Sequence, residues 1–159
     1  MRFVKETVIA ASAEVVWAFH ELPDALGRLT PPWQRTEIVQ APTSLAVGTR
    51  VVLRTKVGPL WRTIVAEHVE YEAGRMFADR MVEGPFARWL HRHVVTPRGP
   101  HESMLTDDVD YELPFGALGR LAGAGFARRE LDRLFAHRHA ITKRWCEAQA
   151  PRPPARAHA

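Results

Sequence analysis

Residues Arg2 to Ile9 alternate charged and β-branched side chains, the period of a strand with one face buried. The period then lengthens. Ser12 suits a helix N-cap, and Ala13, Val16, Trp17 and His20 follow at helical spacing until Pro23 interrupts. Residues 23–29 predict a second short helix, which Thr30-Pro31-Pro32 terminates. From Thr36 the punctuation becomes that of a sheet, with strands predicted at 36–40, 49–55, 60–71, 75–82, 86–96 and 102–112. Gly58-Pro59, Gly74, Gly84-Pro85 and the run from Pro97 to Pro100 supply the turns, so neighbours in sequence should pair as a curved antiparallel meander.

The stretch from Ser103 to Ala148 reads as a strand, a glycine-rich crossing and a long helix. Leu131, Leu134, Phe135, Ile141 and Trp145, with Ala127 and Thr142, form an apolar stripe, while Arg128, Arg129, Glu130, Asp132, Arg133, Lys143, Arg144 and Glu147 mostly fall off it. Pro151, Pro153 and Pro154 end the helix. A curved sheet has one apolar face to cover, and this is the only predicted element long enough to do so. The expected fold class is α+β: about six to seven antiparallel strands wrapped around a long C-terminal helix, with two short helices after the first strand.

Arg138 interrupts the stripe, four residues after Leu134 and three before Ile141. A guanidinium there needs a carboxylate, an open cavity, or a route for its head to reach water at the helix edge.

Strand alternation gathers further polar groups. Trp89, His91 and His93 share one face of their strand; Leu105, Asp107, Val109 and Tyr111 share a face of the last; Phe77, Asp79 and Met81 group likewise. With Tyr111, Val109 and Phe77 inward, Asp79 and Asp107 point inward too, and Trp89, His91 and His93 form the inward set of their strand. A one-residue slip in register reverses each assignment. Buried charges must pair, and Arg138 with Asp107 or Asp79 is the simplest arrangement. Such a cluster either locks helix to sheet or orients the polar end of a ligand or a water. His91 or His93 with Asp79 or Asp107 also has the composition of an acid–base pair, since imidazole titrates near neutrality.

Composition narrows the function classes. The 159 residues are 46% hydrophobic and 25% charged, an ordinary globular balance for one domain spanning residues 1–148, followed by a Pro/Arg/Ala-rich tail expected to be disordered. The net charge of +4 is scattered, with no basic helix or basic–aromatic stripe, so no nucleic-acid partner is expected. Cys146 is the single cysteine, which excludes an intramolecular disulfide and fits a reducing, cytoplasmic setting. Residues 1–9 lack the apolar core of a signal peptide, and no apolar run reaches the roughly 18 residues of a membrane span, so no stable membrane insertion is expected. An uncovered edge strand leaves room for a homodimer.

No metal and no cofactor are expected. The two histidines lack a third ligand fixed by spacing, and Gly116, Gly119, Gly123 and Gly125 match neither a phosphate loop nor a dinucleotide fingerprint. These glycines suit a bending gate over residues 113–126, with Leu118, Leu121 and Phe126 facing an opening and Trp33 at its mouth.

The element order, together with Gly84-Pro85-Phe86, Trp89, His91, His93, the run from Thr106 to Gly116, and Leu131, Leu134, Phe135 and Arg138, resembles the START-like superfamily, also called the SRPBCC or polyketide cyclase/dehydrase group, and within it a bacterial ligand-binding subgroup. The resemblance covers nearly the whole chain, to about Ala148. It implies a helix-grip fold with a deep cavity between sheet and closing helix that holds an apolar or aromatic small molecule. Lipid carriers, hormone receptors and cyclases share that fold, so lining residues must decide function. The expected activity is binding of a small hydrophobic molecule, lipid-like or polyketide-like, as carrier or sensor. The expected contacts are Trp89, His91, Phe77, Asp107, Tyr111, Leu134, Arg138, Leu118 and Phe126. The alternatives are a cyclase- or dehydrase-like enzyme using His91, His93, Asp79 or Asp107, and a regulatory module that binds another protein.

Overall fold

The computed structural model describes residues 1–57 and 59–150; Gly58 and the predicted tail from residue 151 onward lie outside it. The elements run β1 (Arg2–Ile9), α1 (Ala13–His20), α2 (Ala25–Leu29), β2 (Thr36–Gln40), β3 (Arg50–Val57), β4 (Leu60–Glu72), β5 (Met76–Glu83), β6 (Arg88–Gly99), β7 (Glu102–Glu112) and α3 (Gly116–Gln149). Seven strands form one antiparallel sheet in the order β1-β7-β6-β5-β4-β3-β2. Every neighbour from β2 to β7 is also a neighbour in sequence, as a meander requires. β1 breaks the sequence by pairing with β7, Phe3 opposite Val109 and Thr7 opposite Leu105. This is the helix-grip α+β fold.

Alternation in burial follows the hydrophobic pattern. On β7, Ser103, Leu105, Asp107, Val109 and Tyr111 are buried and the residues between them are not. Those buried faces meet α3 along Ala127, Leu131, Phe135, His139, Thr142 and Cys146, a ladder of four- and three-residue steps. Phe135 is fully buried, with its ring centroid 5.4 Å from that of Phe3 on β1, so truncation to alanine would cost about 3–5 kcal/mol. A second apolar cluster gathers Ile9, Val16, Trp17, Phe19, Phe77 and Leu105 beneath α1.

Two local expectations are corrected. Ser12 holds the N-cap position of α1, but its carbonyl, not its hydroxyl, accepts from the amides of Val15 and Val16. The glycine-rich crossing is not a loop: α3 begins at Gly116 and takes in Gly119, Gly123 and Gly125. Phe115 and Gly116, with φ of 65° and 56°, turn the chain from β7 into the helix. A Cβ on Gly119 would collide with the Pro114 carbonyl oxygen, so glycine there permits the close approach of turn and helix.

α3 packs over β1 and β7 and against α1 and α2. The concave faces of β3, β4 and β5 lie beyond its reach, and the gap between them and the helix is the cavity.

Candidate functional site

The cavity holds about 290 Å3, just below the ~300–1,000 Å3 usual for small-molecule pockets. Its apolar wall comes from Ala25, Leu26 and Leu29 of α2, Val51 and Leu53 of β3, Ile64 and Ala66 of β4, and Leu131 and Leu134 of α3. Phe77, Trp89 and Phe86 continue it toward the polar side, where Asp79, His91, His93 and Arg138 reach the cavity.

Register explains this polar cluster. On β6, His91 lies directly opposite Asp79 of β5, and His93 directly opposite Asp107 of β7. Alternation points all four side chains to the same face, so each imidazole lies between two carboxylates. His91 Nδ1 is 3.3 Å from Asp79 Oδ2 and Nε2 is 3.0 Å from Asp107 Oδ1. His93 Nδ1 is 2.9 Å from Asp107 Oδ1, and its Nε2 is 3.5 Å from Asp79 Oδ2. His139 adds a third donor from α3, its Nε2 donating to Asp107 Oδ2 at 2.8 Å while its Nδ1 meets Thr7 Oγ1 at 2.8 Å. An ionised carboxylate only accepts, so every nitrogen facing Asp107 carries a proton.

The charges settle accordingly. Burial opposes the ionisation of Asp79, but hydrogen bonds from His91 and His93 outweigh it and hold the carboxyl far below the usual range. Asp107 is likewise held low against burial, by the charges of His93 and His91 and the bond from His139. Burial also opposes a charge on His91, yet Asp107 and Asp79 together push its imidazolium up to about 9. His20, beside His93 with ring centroids 5.8 Å apart, meets the Val16 carbonyl and no acid among the described residues; burial and the neighbouring His93 charge push it down to about 4.

Of the residues expected from sequence, Phe77, Asp79, Trp89, His91, His93, Leu134 and Arg138 line the cavity. Asp107 stands one layer behind, reaching the cavity only through His91 and His93. Tyr111 shares the correct face of β7 but is 1% exposed and packed among Phe3, Trp89 and Val109, away from the lining. Leu118 and Phe126 are 72% and 73% exposed on the first turns of α3 and lie outside it. Trp33 is partly exposed beside the cavity residues Pro31 and Gln34, its ring under Arg133 and 5.0 Å from His137. The expected pair between Arg138 and an acid does not form, because His139, one residue on, takes the place next to Asp107.

His139, His20 and His68 were not anticipated. His139 continues the ladder from Ala127 through Leu131 and Phe135 by one more step of four, a signal present in the sequence. His68 faces Asp79 across β4 and β5, a relation that needs the strand register. Among the described residues, the buried side-chain atoms without a hydrogen-bond partner are His68 Nδ1 and Arg138 Nε, and both residues line the cavity.

Asp79, His91 and His93 each offer one ligand atom, all within 4.8 Å of one another, and Asp107 occupies the outer nitrogens of both imidazoles. These are the residues that would hold a divalent cation. Cys146 is no reactive thiol: burial and the Glu147 charge push it up to about 12. No helix among the described residues is long and apolar enough to cross a membrane.

Solved structures of the same architecture accompany this geometry. Norcoclaurine synthase from Thalictrum flavum superposes with a TM-score of 0.71 at 18% identity, over 94% of this chain and 96% of that one. A START superfamily protein from Mycobacterium smegmatis gives 0.63 at 14%, over 94% and 99%. The di-domain ARO/CYC StfQ of the steffimycin biosynthetic pathway gives 0.70 at 13%, over 93% of this chain and 51% of that one. No curated protein matches by sequence. At such identities the likeness shows the fold. Residues 1–139 match the family described as polyketide cyclase / dehydrase and lipid transport, and the chain belongs to that family.

Proposed function

We propose that the protein binds one small, largely apolar molecule in the cavity between sheet and α3, as a cytoplasmic carrier or sensor. One observation carries this reading: among the described residues, the two unpartnered buried side-chain atoms, His68 Nδ1 and Arg138 Nε, belong to residues that line this one largely apolar space. Native proteins pair their buried polar groups, and a site that leaves two unpaired in a cavity is arranged for a molecule that supplies the partners. Norcoclaurine synthase of Thalictrum flavum, of the same fold, is seen in complex with dopamine and hydroxybenzaldehyde, compounds that combine an aromatic body with polar ends.

The test is titration with 1-aminoanthracene, a neutral fluorophore. Leu53→Trp, which fills the cavity from β3, should abolish binding, and Leu118→Gln, on the exposed turn of α3, should leave it unchanged. Equal binding by Leu53→Trp and the native protein would place the probe elsewhere and sink the reading.

A second reading is acid–base catalysis of a cyclase or dehydrase kind. It is favoured by the exposure of His91, His93 and Asp79 to the same cavity, with Asp107 fixing the imidazoles from behind. It requires turnover of a bound compound with a bell-shaped pH dependence, and an unchanged rate in His93→Ala would remove that residue from the mechanism.

A further inference from the structure

Arg138 is a cation in the cavity wall with no counter-ion in contact among the described residues. Its buried Nε lacks a hydrogen-bond acceptor, and its guanidinium carbon lies 5.6 Å from the centroid of the Phe135 ring beneath it. The two acids whose charges it feels are already engaged, Asp107 by His91, His93 and His139, and Asp79 by His91 and His93. A lysine or arginine stem at a helix edge normally carries its head into water. Here the head lines the cavity instead, its Nε buried and its charge opposed by burial more than it is favoured by Asp107 and Asp79.

We propose that the natural ligand is an amphipathic acid, with an aromatic or medium-chain aliphatic body, whose single carboxylate binds the guanidinium fork of Arg138. This deepens the reading of the cavity as a ligand site and rests on it. The planar guanidinium presents parallel N–H donors that match a carboxylate two to two, and the Phe135 ring within cation–π range lies on one side of it. The apolar wall of Leu26, Leu53, Ile64, Ala66 and Leu134 then receives the body. Charge selects a monoanion: one guanidinium balances one carboxylate, whereas a phosphate dianion would place excess negative charge near Asp79 and Asp107 with no second free cation on the described lining.

The experiment is calorimetric titration at pH 7 with two matched pairs, 1-naphthoic acid against methyl 1-naphthoate and decanoic acid against methyl decanoate. Native protein should bind at least one acid about tenfold or more tighter than its ester. Arg138→Gln should lose that preference while keeping its affinity for the ester, and Arg138→Lys, which restores the charge without the fork, should recover part of it. Thermal melts of both variants confirm that they are folded; should Arg138→Gln fail to fold, Arg138→Lys carries the comparison. Esters binding as tightly as acids in both pairs would overturn the assignment of the carboxylate and leave the cavity reading standing. So would a preference that survives in Arg138→Gln, or failure of both acids while 1-aminoanthracene binds. Failure of acids, esters and 1-aminoanthracene alike would overturn the cavity reading itself.

Discussion

His139 on α3 donates to Asp107 on β7 across 2.8 Å, with both side chains under 5% exposed. The carboxylate it meets also receives His91 and His93, so one acid ties the closing helix to two strands and holds the imidazoles that border the cavity.

Asp107→Asn should therefore be severely destabilising. The amide can accept through only one atom, leaving buried N–H groups of His91, His93 or His139 facing its own donors. Breaking a buried charged network by removing one partner costs about 3–5 kcal/mol. Urea unfolding measures this directly, and a loss below about 1 kcal/mol would show that the network does not hold helix to sheet.

Stability should peak near pH 6.5 and fall on both sides. His20 titrates at about 4 when folded against 6.5 ordinarily, so the unfolded chain takes the proton first and stability drops as pH falls from 6.5 toward 4. His91 titrates at about 9 when folded, so its contribution is complete below 6.5 and is lost as pH rises toward 9. Each displacement corresponds to roughly 3 kcal/mol at its limit. Melting temperature measured from pH 4.5 to 9.5 should trace this dome, with His20→Gln flattening the acid limb and His91→Gln the alkaline one. A flat profile in the native protein would contradict both assignments.

The glycines of α3 should respond in opposite directions. Gly119→Ala drives a methyl into the Pro114 carbonyl oxygen and should destabilise, whereas Gly125 has nothing within 4 Å of an added Cβ. Gly125→Ala should stabilise by about 0.5–1 kcal/mol, since alanine loses less entropy in a helix. Thermal unfolding of the two variants separates the cases.

The fold was legible because strand alternation and turn residues agree along nearly the whole chain. Trp89, His91 and His93 could be assigned a shared inward face from period alone, and Asp79 and Asp107 followed. The partners were not legible in the same way. Arg138 and His139 are adjacent in sequence, and only the rotation of α3 decides which one reaches Asp107. The ladder from Ala127 through Phe135 points to His139, but Leu134 and Ile141 draw attention to its neighbour. Alternation places Tyr111 on the inward face of β7, but its covering by Phe3, Phe86 and Trp89, away from the cavity lining, depends on packing. Placing Leu118 and Phe126 at an opening rests on the glycines letting residues 113–126 bend out of a helix. That is a weak preference, and α3 overrides it.

The sheet order also dictates a timetable for folding. β1 is made first but hydrogen-bonds only to β7, and the Arg2 guanidinium waits for Asp108, 106 positions later, for its two bonds of 2.9 and 2.8 Å. Strands β2 to β7 meet their neighbours within a hairpin's reach, so they can zip as they emerge during synthesis, whereas β1 must wait for a long-range docking step. A nascent chain halted before β7 would hold β1 without a partner, its paired edge bare, and that is the state in which this protein is most exposed to misassociation.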